Sequence, residues 1–110
     1  RASAGAAEHL KVAKVVNLPR AMKELQKLNL WFTGLDWGKD AKLYTDIDFK
    51  GRVGLVVGSE GSGISRLVRE NCDFIAELPM PGGFESLNAG VATAVTMYEV
   101  LRQRMSAKCR

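Results

Sequence analysis

The residues best suited to chemistry lie in one turn. Gly58-Ser59-Glu60-Gly61-Ser62-Gly63 sets three glycines and an acid directly after an apolar run, Val53 to Val57. Glycine lets the backbone take positive φ and lets a ligand reach the main chain without meeting a Cβ. A phosphate loop is the obvious reading, and the residues argue against it. The dinucleotide fingerprint needs glycines at first, third and sixth positions, whereas here they stand at first, fourth and sixth, and the Lys-Ser/Thr pair of a P-loop is missing. Glu60 takes the place where a phosphate would lie. A carboxylate about 5 Å from a phosphate charge costs roughly 3 kcal/mol at an effective dielectric near 20. The turn therefore suits a ligand that is neutral, zwitterionic or cationic there. That favours S-adenosylmethionine, whose sulfonium is positive, over ATP or NAD. A structural strand-to-helix turn with an exposed Glu60 fits the loop alone equally well.

Other reactive side chains are sparse. His9 is the only histidine, the side-chain type whose ordinary range suits acid-base work near neutrality, but a lone helical histidine is more often a surface or packing residue. Cys72 and Cys109 are far apart with no histidine cluster near them, so they read as free thiols in a reducing compartment. No Ser-His-Asp set and no metal cluster is evident. Trp37 beside a turn has the option of stacking on a base, though packing is the commoner use of such a residue.

The elements that must position the turn follow from periodicity. Val53 to Val57, apolar on both faces, reads as a strand in the middle of a covered parallel sheet. A ligand crevice outside the carboxyl end of such a strand is the usual site in an open α/β sheet. A helical turn over Ala6 to Leu10 and a short strand over Lys11 to Val16 come first. Asn17 is the N-cap and Pro19 lies in the first turn of a helix to about Leu28, with Leu18, Met22, Leu25 and Leu28 on one stripe. Leu30 to Leu35 predicts a second buried strand, which Gly34-Leu35-Asp36 closes near the Gly58 turn. Trp37 to Lys50 reads as an irregular connection anchored by Leu43, Tyr44, Ile47 and Phe49.

After the glycine turn, Ile64 to Asn71 predicts a helix with Ile64, Leu67 and Val68 inward and Arg66, Arg69 and Glu70 toward water. Phe74 to Leu78 is another strand, stopped by Pro79-Met80-Pro81. A long helix starts around Ser86 to Asn88, with Ser86 able to serve as its N-cap, and continues to about Met105. Its first turns, Asn88 to Ala94, are almost all small, so its start can lie against a ligand or another backbone. Val91, Val95, Tyr98 and Leu101 mark one apolar face; Met97 and Val100 mark a second edge. A helix apolar on more than one side is buried or paired with a partner chain. Arg102, Arg104, Lys108 and Arg110 read mostly as a solvated tail, with phosphate contact as the alternative.

The 110 residues fit one domain, and the net charge of +4 is compatible with an RNA partner without requiring one. No apolar run approaches bilayer length and no signal peptide is apparent, so the expectation is a cytoplasmic protein with no membrane or metal partner.

Two stretches together carry a resemblance. Val53 to Met80, VGLVVGSEGSGISRLVRENCDFIAELPM, and Glu85 to Arg104, ESLNAGVATAVTMYEVLRQR, resemble motifs 2 and 3 of the SpoU-type RNA 2′-O-ribose methyltransferases of the SPOUT superfamily. Ser3 to Leu18, SAGAAEHLKVAKVVNL, is similar to the bacterial 23S rRNA guanosine 2′-O-methyltransferase branch. The resemblance spans nearly the whole chain and is loosest over Trp37 to Lys50.

What it implies is an α/β domain with a mostly parallel sheet, helices on both faces and a C-terminal trefoil knot, an exception to the rule of unthreaded connections. It implies S-adenosylmethionine as cofactor, RNA as substrate and a homodimer. Gly58, Leu78 and Leu87 match cofactor-contacting positions, largely through main chain, with Gly34 a weaker candidate. Glu60, Ser86 and Asn88 match polar active-site positions. The family's motif 1, with its Asn-x-Gly loop and catalytic arginine, has no counterpart, so the expected reading is the C-terminal part of one catalytic domain whose N-terminal part is missing. A chain of this kind alone is expected to be inactive. A non-catalytic module holding RNA or cofactor, a tRNA methyltransferase and a nucleotide-phosphate domain are the competing readings.

Overall fold

Asn17 begins the first helix: its side-chain oxygen accepts from the Arg20 amide at 3.2 Å, and Pro19 occupies the first turn, where its missing N–H costs nothing. In a computed structural model, residues 17–58, 63–79 and 89–108 are described. They form α1 (Leu18–Gln26), β1 (Trp31–Leu35), β2 (Lys42–Leu43), β3 (Val53–Val57), α2 (Arg66–Asn71), β4 (Phe74–Glu77) and α3 (Ala89–Lys108), with a 3-10 turn at Tyr44–Asp46. The strand expected at Lys11 to Val16 and the turn before it lie outside the described residues. Asn29, at φ 66°, ends α1: Leu30 N–H reaches back to Leu25 C=O at 3.3 Å, which closes the helix and turns the chain into β1.

The sheet is four-stranded, ordered β2-β4-β1-β3, and every described pair is parallel. Side chains alternate between its faces. Phe32, Val56, Ile64, Val68 and Met22 make one core, which α1 and α2 cover. Leu35, Ile47, Phe49, Ala76, Leu78, Ala92 and Val100 make the other, beneath α3. Helices on both faces are thus present, as the sequence led us to expect. Asp73 sets β4 beside β1: its carboxylate accepts from Phe32 N–H at 2.8 Å, and its own N–H donates to Phe32 C=O at 2.8 Å.

Several expectations need correction. The Val53 to Val57 strand was expected in mid-sheet, yet among the described strands β3 pairs only with β1, and β1 and β4 are the interior ones. The apolar run specifies a strand, but strand order follows from where the later β4 inserts. The 36–52 region is more regular than its polarity suggests. Lys42 and Leu43 pair with Ala76 and Glu77 through main chain alone, which leaves no side-chain pattern to read. Ile47 and Phe49 are buried as anchors, whereas Leu43 is exposed.

The α2 helix begins later than expected, at Arg66, because the Ser65 side chain caps it by accepting from Val68 N–H. Leu67, expected inward, is 56% exposed, and Arg69, expected outward, turns into the protein. Likewise α3 buries Ala92, Thr96, Met97, Glu99 and Val100 while Val91 and Tyr98 face out. Its basic end is not simply a solvated tail. Arg104 donates to Phe49 C=O at 3.3 Å and Gly51 C=O at 2.6 Å. Gln103 donates to Ile47 C=O at 2.8 Å and accepts from Phe49 N–H at 2.7 Å, as a neighbouring strand would. These bonds fix the last turns of α3 beside the approach to β3, so α3 runs opposite to the strands and begins at their carboxyl edge.

Glu99 orients that clamp. Buried on α3, it accepts from Arg102 at 2.8 Å and from Gln103 at 2.8 Å. The Arg102 hydrogen bond holds its carboxyl below the usual range, against the opposing effect of burial. A depressed folded value contributes stability above the unfolded value of about 4.3, and that contribution is lost as pH falls through the folded value. Glu99→Gln is therefore expected to flatten the acid limb of stability against pH below about 4.3, measured by urea unfolding at a series of pH values. Parallel acid limbs in the two proteins would show that Glu99 does not carry this contribution.

Candidate active site

Parallel strands deliver their carboxyl ends to one edge. In the ladder Leu35 pairs with both Val57 and Ala76, so Asp36, Gly58 and Leu78 emerge together just beyond the last paired residues. Gly58 and Leu78 flank β1 on either side, about 10 Å apart across two strand spacings. Asp36 stands between them, its N–H donating to Ala76 C=O at 3.1 Å.

Asp36 is the buried centre of this edge. Its Oδ1 accepts from Trp37 N–H at 2.9 Å and its Oδ2 from Ile64 N–H at 3.4 Å. Arg69 of α2 completes it, donating Nη1 to Asp36 Oδ2 at 2.7 Å and Nη2 to Trp37 C=O at 2.9 Å and to Asp40 Oδ1. Arg69 raises no obstacle to staying charged: its hydrogen bond to Asp40 lifts its pKa, and the same bond lowers that of Asp40. Gly38 and Gly63 make room for the cluster. A Cβ on Gly38, at φ +138°, would lie 2.8 Å from Arg69 Nη2, and one on Gly63, at φ +73°, would lie 3.0 Å from Asp36 Oδ1.

The predicted site residues fall into two groups. Gly58 is in place at the carboxyl end of β3, but what approaches it is the chain itself. A Cβ there would stand 2.0 Å from Gly63 O and 2.6 Å from Ile64 N. Leu78 projects into the α3-side core, leaving its main chain for the edge. Gly34 is buried inside the sheet, and the space of its missing side chain is filled by Ile64, Cys72 and Ile75. Glu60, Ser86, Leu87 and Asn88 lie outside the described residues. Ala92, in the first turns of α3, shares one core with Leu35 and Leu78, so the helix start lies toward this same edge.

Asp36 and Arg69 were not foreseen from sequence. The available signal was an acid directly after a buried strand, which needs a cation or several N–H donors to be tolerated. Nothing in the spacing identified Arg69 as that cation.

Among the described residues of this edge, the Arg69 guanidinium is committed internally to Asp36, Trp37 C=O and Asp40. Cys72 takes no part as a thiolate: burial, foremost, pushes its pKa up to about 11. Among the described residues no group of side chains could hold a metal ion. A polar hollow of about 520 Å³ lies elsewhere, between Thr45–Lys50 and Arg102, Gln103 and Ser106, and none of the predicted site residues lines it.

The SpoU rRNA Methylase family model matches residues 1–98. The chain belongs to that family. It is 50% identical, over 107 residues and 97% of its length, to the 23S rRNA (guanosine-2′-O-)-methyltransferase RlmB of Xanthomonas campestris, covering 43% of that protein. It is 47% identical over 94% of its length to the RlmB of Pseudomonas aeruginosa, covering 42% of it. Among solved structures it resembles the A. aeolicus TrmH/SpoU tRNA modifying enzyme, at TM-score 0.79 and 30% identity over 86% of this chain and 48% of that one. It also resembles the SpoU methyltransferase AviRb of Streptomyces viridochromogenes in complex with AdoMet, at TM-score 0.77 and 30% identity over 94% of this chain and 43% of that one. The chain thus spans less than half the length of these relatives.

In this SpoU chain, Gly58 is required first by the turn's own geometry. Gly58→Ala is expected to destabilise the protein by about 2–4 kcal/mol with no ligand present, since backbone rather than a flexible side chain must give way. Thermal unfolding without cofactor checks this. An unchanged midpoint would mean that glycine is needed there only for ligand approach.

Proposed function

We propose that the protein carrying this chain transfers a methyl group from S-adenosylmethionine to a ribose 2′-hydroxyl of RNA, at a guanosine of 23S rRNA. The observation that carries this reading is the 50% identity to an RlmB across 97% of the chain. In this reading the 110 residues belong to one catalytic domain. The protein is cytoplasmic in this reading; among the described residues no helix is long and apolar enough to cross a membrane.

Gly58, Leu78 and Leu87 would hold the adenosyl group through main chain, with Gly34 beneath as a packing position rather than a direct contact. Bound there, S-adenosylmethionine supplies an electrophilic methyl on a positive sulfonium. The chain's task is to bring the ribose hydroxyl into line with it, because reacting atoms held about 3–3.5 Å apart gain much of their acceleration from orientation. Asn88 and Ser86, at the entrance of α3, would orient the ribose, and Glu60 would brace the turn and favour the cationic donor.

Two finer features belong to the same reading. The link 36–41 joins β1 to β2 across the position that β4, later in the chain, occupies between them. That crossing supports a C-terminal trefoil knot. On α3, Tyr98 is 56% and Met105 58% exposed, in line with Val91, which is also exposed. An apolar stripe at that spacing supports a homodimer through α3.

A tRNA substrate is the second reading, favoured by the A. aeolicus enzyme's description. Labelled methyl transfer by the full-length protein to 23S rRNA and to tRNA, with ribonuclease mapping of the 2′-O-methyl, decides between them. Transfer to neither would leave the non-catalytic module. Asn88→Ala is expected to lower kcat about 100-fold, as loss of one oriented polar group does; undiminished turnover would remove its assigned role. Tyr98→Arg is expected to shift the protein toward monomer in sedimentation velocity. An unaltered dimer would place the interface elsewhere.

A further inference from the structure

We propose that Arg69 is a positioning residue for cofactor binding: through Asp36 it fixes the separation between the link 36–41 and Gly63-Ile64, which follow the glycine run after β3. The proposal rests on the S-adenosylmethionine reading above and adds to it a residue outside the expected site set.

The geometry isolates this role. The two loops leave neighbouring strands, β1 and β3, at the carboxyl edge and are not continuous with one another. Asp36 belongs to the first loop and accepts from it at Trp37 N–H, yet its other oxygen accepts from Ile64 N–H at the end of the second. One carboxylate thus touches both. Arg69 then holds that carboxylate from α2, and the same guanidinium reaches Trp37 C=O and Asp40 farther along the first loop. With 25% of its side chain exposed, Arg69 lies at the rim of the edge rather than in the core of either face. Glycine at 38 and 63 leaves the space this arrangement needs.

Removing the guanidinium would leave Asp36 short of partners, free to draw away from Ile64 and let Gly63-Ile64 separate from the link. A site whose walls shift by about 1 Å loses on the order of 100-fold in productive positioning. The loss falls on the ligand held between those walls. RNA contacts made by other surfaces would be spared.

The test uses the full-length protein, with S-adenosylmethionine affinity by calorimetry, KM for each substrate and thermal unfolding. Arg69→Ala is expected to weaken S-adenosylmethionine binding about 10- to 100-fold while KM for RNA stays within about twofold of wild type. Arg69→Lys should restore little, because a single ammonium cannot reproduce a planar fork serving three acceptors. A role in stability alone would lower the melting temperature and leave KM for S-adenosylmethionine unchanged in the folded protein, and that result would overturn the proposal. If Arg69→Ala does not fold, Asp40→Asn decides. It loosens the first loop while leaving the buried pair intact, and it is expected to weaken cofactor binding about two- to fivefold, as loss of one charge-assisted bond does. Wild-type affinity in Asp40→Asn would then overturn the role. Absence of binding by the wild-type protein would instead overturn the cofactor reading itself, so the two failures are distinguishable.

Discussion

The carboxyl edge of the sheet depends on a single buried charge. Asp36 is only 5% exposed, and a carboxylate so placed is tolerated because two peptide N–H groups and a guanidinium surround it. Pairs of this kind are poor sources of net stability, because desolvation offsets the attraction, yet breaking one by removing a partner costs about 3–5 kcal/mol. The consequence is specificity of arrangement. Loop 36–41, the end of the glycine turn and α2 have one relative position that satisfies the acid. The glycines on either side of it follow from the same need.

A second polar device works at the far end of the protein. Gln103 and Arg104 bond to the main chain of Ile47, Phe49 and Gly51 in the manner of an added strand, and Glu99 holds Gln103 in place. The irregular run into β3 would otherwise carry unpaired peptide groups next to the buried Phe49. By fixing the end of α3 there, the clamp directs the opposite end of the helix toward the strand termini. The two devices bracket the α3-side core, one at each sheet edge.

The order of strands ties these features together. Because β4 sits between β1 and β2, the link that joins those two must pass across it, and Asp36, Trp37 and Asp40 all lie on that link. Arg69 leaves α2, the helix that leads into β4. The segment that occupies the slot and the segment that spans it are thus bonded to each other. The crossing is held by ordinary interactions, each local to it.

Local chemistry accounts for what was legible in the sequence. Asn17 and Pro19 announce α1, an apolar run announces β1 and a β-branched one β3, and the glycine turn with its acid speaks against a phosphate ligand before any fold is known. The paired motifs from Val53 to Met80 and from Glu85 to Arg104 carry the family. Each of these signals acts within a few residues of itself. Tertiary structure decided the rest: that β3 is a terminal strand among those described, that Leu67 faces out and Arg69 in, and that Tyr98 lies on the exposed side of α3. Asp36 and Arg69 are 33 residues apart, and only the insertion of β4 beside β1 brings α2 over the strand end where that acid is buried. Hydrogen bonding and periodicity are written into neighbouring residues; the pairing of distant charges is set by the path of the chain.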